Sequence, residues 1–308
     1  STQGAEVGST KSLPQGKGIF TQDFPDIAKQ KPADAAKAGV DWICVLAKKP
    51  QQIQADKTSD VVSTPKLKKF VEAYRKHNIK VYIWGQPHIN KPDKWIADMF
   101  GLAKSAQCNG VIADIKTDFI PLAAADKDAI LASTAKFAKS CKAEADTAGV
   151  VFGITSYGKP SIEGDSTSKN AGISFLSILK QFASEDYAPD FVLPKVYMDA
   201  PKDDISYALS GFKEYKDIGL KNRIPFTSFG IQQSDSYEKL YPAYKSKLKP
   251  PEEILRRTSW LFGTEAENYD GGDVIDYKEA MAFWSWEIAH KKGLPSAWQL
   301  NLWELFSG

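Results

Sequence analysis

Cysteine, histidine and methionine are scarce: the 308-residue chain has three of each. Cys44, Cys108 and Cys141 are odd in number and scattered, which excludes a disulfide framework. Cys44 lies in a strand-like run and reads as core. His77, His88 and His290 stand far apart, and neither HExxH nor CxxC occurs, so no metal-ligand spacing is present and no cofactor is expected. No apolar run is long enough to span a bilayer. The net charge is only +2, which removes any bulk electrostatic case for a nucleic-acid or membrane partner. No Asn-x-Ser/Thr site occurs, which disfavours a eukaryotic secreted glycoprotein.

What is present is globular in balance. Hydrophobic residues make up 43% and charged residues 25%, and the length is ample for one large α/β domain. Aromatics reach 12%, with 8 Trp and 12 Tyr, which fits carbohydrate contact or a core rich in rings. Residues 1–16, "STQGAEVGSTKSLPQG", are small and polar with no apolar signal core, and read as a flexible arm or linker, a means of joining a larger assembly. The chain starts with Ser, as a processed or excised chain would. Residues 17–308 read as one domain.

Within that domain strand-like runs alternate with helix-like ones. "KGIFTQDF", "VDWICVLA", "IKVYIWG", "NGVIADIKTDF", "VVFGITSYG", "DFVLPKVYM", "RIPFTSFG" and "AMAFWSWEIA" are the strand candidates. Between them lie helical stretches: 25–39 ending at Gly39, 64–78 with Thr64 as N-cap and Pro65 in the first turn, 91–108, 126–149, 170–185 and about 202–218. A polar, Tyr- and Lys-rich insertion follows strand seven, then a helix near "EEILRRTSWLFG"; "SAWQLNLWELF" closes the chain. Eight strands each followed by a helix predict a single (β/α)8 TIM barrel of the α/β class, with the N-terminal arm outside it. A doubly wound sheet is the competitor. Its dinucleotide-binding form is disfavoured because no glycine-rich phosphate loop follows the first strand.

Strand side chains alternate faces, and here polarity follows the alternation. Tyr82, Trp84, Gln86 and His88 oppose Val81 and Ile83. Ile112, Asp114 and Lys116 oppose Val111, Ala113 and Ile115. Gly153, Thr155 and Tyr157 oppose Phe152 and Ile154. Lys195, Tyr197 and Asp199 oppose Val192, Val196 and Met198. The polar parity is expected to face the barrel axis, with its polar members near the strand C-terminal ends where barrel enzymes place their sites. A satisfied polar network without catalysis would give the same pattern. Asp114 is the central carboxylate of this set, suited to acid, base or electrostatic work. It could instead pair with Lys116 or Lys195, and a paired Asp makes a poor acid. Either lysine could form a Schiff base if burial lowered its pKa, although a charge partner for Asp114 or Asp199 is the simpler role. Trp84, Trp284 and Trp286 could stack on sugar rings or simply pack. Asp23, Glu163 and Glu287 complete the acidic set near the mouth.

The motifs "GVIADIK", "FGITSYG", "FVLPKVYM" and "AFWSWEIA" resemble the strand motifs of glycoside-hydrolase barrels, in particular families 25 and 18. The resemblance covers the order of strands over about residues 17–306. It implies a strand-four Asp at Asp114, a strand-six Tyr and acid at Tyr197 and Asp199, a strand-eight Trp at Trp284 or Trp286, and a strand-one Asp at Asp23. It also implies a Glu two residues after Asp114, the proton donor in the family 18 pattern, where the substrate's own N-acetyl group is the nucleophile. This chain has Lys116 there. Glycoside hydrolysis usually needs two carboxyl groups, about 5–5.5 Å apart for retention or about 6.5–9.5 Å for inversion.

Two functions therefore compete. One is a glycosidase acting on peptidoglycan or chitin, with Asp114, Asp199 and Tyr197 catalytic. Substrate would then be held by Asp23, Trp84, Gln86, Lys116, Tyr157, Lys195, Trp284 and Trp286. The other is a catalytically degenerate barrel that binds glycan or builds part of a phage tail or secreted assembly. Either way the expected partner is a polysaccharide. The compartment stays open, with extracellular or virion-associated preferred over cytoplasmic.

Overall fold

The computed structural model describes residues 11–50, 60–120, 126–164, 173–196, 205–228 and 280–285. Eight parallel strands close into a barrel in chain order: β1 (Gly16–Phe20), β2 (Trp42–Lys48), β3 (Lys80–Gly85), β4 (Gly110–Asp114), β5 (Val151–Tyr157), β6 (Phe191–Lys195), β7 (Phe226–Ser228) and β8 (Ala280–Trp284). Closure is made by β1 against β8, from Gly16 opposite Ala280 to Phe20 opposite Trp284.

The helices are α1 (Ile27–Gln30), α2 (Pro32–Lys37), α3 (Thr64–Arg75), α4 (Pro92–Ala106), α5 (Lys127–Ala148), α6 (Phe175–Lys180) and α7 (Ile205–Asp217). None of the described helices is long and apolar enough to cross a membrane. The single helix expected over 25–39 is two short ones. Pro32 supplies no N–H and disfavours helical geometry at the residue before it, and Lys31 sits at φ 40°. The cap of α3 is Ser63, whose hydroxyl accepts from Lys66 N, and Thr64 is already helical. Its apolar face, Leu67, Phe70, Val71 and Tyr74, is buried as its spacing predicts. The described helix after β5 is shorter than the expected 170–185. The insertion after β7, the helix that follows it and the closing helix lie outside the described residues.

Two apolar layers follow from strand alternation. Outward-facing residues such as Ile43, Val81, Val111, Phe152, Val192 and Phe283 pack against the helices. Inward-facing residues, among them Phe20, Trp42, Tyr82, Ile112, Phe191 and Phe226, fill the barrel. Large rings fit because glycines stand beside them. A Cβ on Gly18 would lie 1.9 Å from the Trp42 ring, and one on Gly153 2.3 Å from the Phe191 ring. Among the described residues parity breaks at the end of β5, where the Tyr157 ring, expected to face the axis, packs against Phe175 in the helix layer, and at the end of β2. A register shift between Leu46 and Lys48 turns Lys48 into the helix layer, where its buried ammonium meets Asp98 of α4 at 2.7 Å.

The bottom of the barrel is closed by the chain itself. The Tyr82 hydroxyl donates to the Ser12 carbonyl at 2.6 Å, Lys80 Nζ lies 2.6 Å from Ser12 Oγ, and Pro14 is buried. So the last residues of the stretch read as an arm, 11–16, are held against the barrel, and Gly16 already belongs to β1. Residues 1–10 lie outside the described residues.

Candidate functional site

The polar parity does face the axis on β3, β4 and β6, and it converges on one carboxylate. Asp114 ends β4 and is buried. Lys195 ends β6, two strands away, and its Nζ meets Asp114 Oδ1 at 2.6 Å. Gln86, just beyond β3, donates through Nε2 to Asp114 Oδ2 at 3.2 Å. Both carboxylate oxygens are therefore engaged, one by a charge and one by an amide. Of the two lysines considered for Asp114, the partner is Lys195.

Burial pushes the Lys195 ammonium below the usual lysine range. Asp114 opposes that shift through charge and hydrogen bond, whereas the positive charge of Lys116 adds to it. Lys116 follows the buried Ile115, which is fixed by bonds to β5: Ile115 N donates to Thr155 O, and Ser156 Oγ donates to Ile115 O. Lys116 is partly buried. Asp118, in the 3-10 turn Thr117–Phe119, is exposed and acts on Lys195 and on His88. Burial lowers the His88 pKa, with Lys91 adding and Asp118 opposing.

An aromatic roof lies beside this polar group. The Trp84 indole is buried, donates to Thr21 O at 2.8 Å, and stands edge-on to Trp284 at 5.6 Å between ring centroids. Trp284 is partly exposed and also approaches Phe20 and Phe226. Asp23 is exposed in the turn after β1, and its carbonyl accepts from Thr21 Oγ1. The Tyr157 ring packs edge-on against Phe175, toward the helix layer, and its carbonyl accepts from the Tyr215 hydroxyl. Tyr197, Asp199, Trp286 and Glu287 lie outside the described residues, as does the side chain of Glu163.

Thr21 was not singled out by its sequence. It bridges three elements: its hydroxyl accepts from Leu46 N and donates to Asp23 O, and its carbonyl holds Trp84. The available signal was one small polar residue at the end of β1, where the other strands also turn polar. Among the described residues no group of three or more His, Cys, Asp or Glu is placed to hold a metal ion.

Eight parallel strands in a closed ring, with Asp114, Gln86 and Lys195 gathered at the C-terminal ends of three of them, form a (β/α)8 barrel. Solved structures with this fold include a family 18 chitinase from Pseudoalteromonas aurantia, similar at 12% identity and TM-score 0.56 over 94% of this chain and 99% of that one. Active domain 2 of a thermostable Pyrococcus furiosus chitinase, a catalytic-site mutant complexed with chito-oligosaccharides, is similar at 15% identity and TM-score 0.55, covering 89% and 85%. A Cycas revoluta class V chitinase mutant bound to (GlcNAc)3 is similar at 9% identity and TM-score 0.56, covering 93% and 99%. At these identities the likeness concerns the fold. No family model and no curated protein matches the sequence.

Proposed function

We propose that this barrel binds glycan chains across its mouth without cleaving them, as a carbohydrate-binding module on a glycoside-hydrolase frame. The observation that carries the reading is the engagement of Asp114. One oxygen is in an ion pair with Lys195 and the other accepts from Gln86. Both oxygens of this carboxylate are turned to protein partners, and neither is left facing a leaving group. Lys116 stands where the resemblance expects the proton donor, and an ammonium beside an oxocarbenium-like centre raises its energy instead of lowering it. Trp284, exposed in part next to Trp84, offers an aromatic face for the C–H side of a sugar ring, and Asp23 is an edge contact. Solved barrels of the same fold hold chito-oligosaccharides and (GlcNAc)3, which supports a glycan as the occupant. A place in a phage tail or secreted assembly fits a barrel that binds without turnover.

Those similar structures are chitinases, and that observation favours a second reading: hydrolysis of an amino-sugar polymer by Asp114 with Asp199 and Tyr197, over a platform that includes Trp286. One experiment separates the two. Purified protein is incubated with chitin and peptidoglycan, and reducing ends and turbidity are followed. In parallel its melting temperature is measured with soluble N-acetylglucosamine oligomers. Binding alone predicts a rise in melting temperature with no new reducing ends. Cleavage that Asp114→Asn abolishes would establish the hydrolase.

A further inference from the structure

Lys48 and Lys195 both leave bulk water to meet a carboxylate, but they stand in different places. Lys48 is 1% exposed and shut into the helix layer against Asp98. Lys195 ends β6 at the mouth, and its side chain keeps 16% of its surface in solvent. The inward face below it is apolar. Leu193 stands two residues earlier on β6, and Ile112 two residues before Asp114 on β4, both fully buried. The Lys195 backbone is gripped from either side. The next N–H, of Val196, donates to Phe226 O at 2.7 Å, and Gly158 lies so close that a Cβ there would come 2.4 Å from Lys195 O. The side chain is thus anchored above an apolar floor, with Asp114 Oδ1 2.6 Å from its Nζ and the other carboxylate oxygen turned to Gln86.

That setting suits a nucleophile. An ammonium cannot attack a carbonyl carbon; it must first give its proton to a base within reach. Burial favours the neutral amine and Lys116 adds to that effect. Asp114 opposes it as an anion, yet it is also the base at hydrogen-bond distance. We propose that Lys195 is a nucleophile that forms an imine with small aldehydes or ketones, with Asp114 carrying the protons. The Lys195 ammonium gives a proton to Asp114 Oδ1, and a bond forms from Nζ to the carbonyl carbon. The carbonyl oxygen takes that proton from Asp114, which gives a carbinolamine. Asp114 then moves a second proton from Nζ to the same oxygen. The C–O bond breaks, water leaves, and the C=N bond forms. The iminium keeps the positive charge that the ammonium had, Asp114 ends as a carboxylate, and no other reactant is consumed. A side chain so little exposed can be reached by a small carbonyl compound and not by one embedded in a polymer. This activity goes beyond glycan binding and does not depend on it.

The test is reductive trapping. The whole chain is incubated separately with pyruvate, dihydroxyacetone and glyceraldehyde, cyanoborohydride reduces any imine to a stable amine, and the modified lysines are located by peptide mass mapping. At neutral pH at least one probe is expected to label Lys195 roughly tenfold faster than the exposed Lys66 and Lys76. Lys195→Arg keeps a cation for Asp114 and should lose this adduct while Lys66 and Lys76 label as before. Asp114→Asn should slow trapping at Lys195 by at least about tenfold. Labelling of Lys195 no faster than of Lys66 and Lys76 by all three probes would overturn the proposal, and because that ratio is read on the wild type it does not depend on the folding of a variant. A Lys195 rate left unchanged by Asp114→Asn would overturn the proton-carrying role. Oligosaccharide binding is read separately, by melting temperature, so either reading can fail alone.

Discussion

Lys195 on β6 reaches past β5 to Asp114 on β4, and the 2.6 Å contact ties two strands that do not pair with each other. The side chains are 16% and 6% exposed, so the pair is largely dry. Removing one partner strands the other. Lys195→Met is expected to cost roughly 3 kcal/mol in urea unfolding, because Asp114 keeps only Gln86. Asp114→Leu combined with Lys195→Met should recover most of that loss. Unfolding midpoints for the single variant equal to wild type would mean that the pair contributes nothing to the fold.

Lys48 and Asp98 make a second such pair in the helix layer. Asp98 also accepts from Lys94 at 2.8 Å. Burial alone would raise the Asp98 pKa, but the bonds and charges of the two lysines outweigh it and the net shift is downward. Asp98→Asn is expected to destabilise by about 2–4 kcal/mol, chiefly by removing the carboxylate that the buried Lys48 ammonium meets at 2.7 Å. Lys94→Ala, which removes the exposed partner, should cost under about 1 kcal/mol. A larger loss from Lys94→Ala than from Asp98→Asn in chemical denaturation would reverse this ranking.

His88 gives a pH dependence with a definite sign. Its pKa in the fold is below the 6.5 usual for a free histidine, with burial as the main cause. Above 6.5 the residue is neutral in both folded and unfolded chains, and its contribution is fully present. As pH falls below 6.5 the unfolded chain takes up the proton first, so stability drops until the folded pKa is passed. His88→Gln should flatten the stability profile in that window and leave it unchanged near neutrality. Superimposable profiles for the two proteins between neutral pH and the onset of acid unfolding would rule out this role.

The glycines inside the barrel are set by the rings beside them. Gly153→Ala places a methyl 2.3 Å from the Phe191 ring. Overpacking of this kind costs about 1–3 kcal/mol. A compensating Phe191→Leu should make the double variant more stable than Gly153→Ala alone. If thermal unfolding shows the two changes simply adding their losses, the ring is not what forbids the side chain.

The barrel was legible because its two layers ask for different residues. The outward faces of β3, β4 and β6 are apolar and their inward faces end in polar groups, so alternation alone placed Asp114, Gln86 and Lys195 on one side; on β5 the Tyr157 ring, read as inward, turns to the helix layer. Lys195 was also a foreseeable partner for Asp114. Alternation could not reveal that Gln86 takes the second oxygen, since that depends on how far the chain runs beyond β3. Nor could it show the burial of Trp84, which is set by the Thr21 carbonyl from a different strand. Lys48 defeats the pattern outright: its strand reads as regular, and only the shift in pairing turns it toward Asp98. The break at Lys31–Pro32 and the cap at Ser63 were written in the sequence: Pro32 stands inside the stretch read as one helix, and Ser63 directly precedes the Thr64 read as the cap.

Ser12 sits under the barrel, bound through its carbonyl and hydroxyl to Tyr82 and Lys80, while Asp114, Lys195 and Trp284 stand at the other end of the same strands. This gives the molecule a handle and a front. A chain tethered to a bead or sensor surface by residues ahead of Lys11 would present its mouth outward, toward solution. A tether attached on the strand C-terminal side would press the mouth against the support. Capture of a long polysaccharide should therefore depend on which end is fixed, even when the amount of immobilised protein is the same.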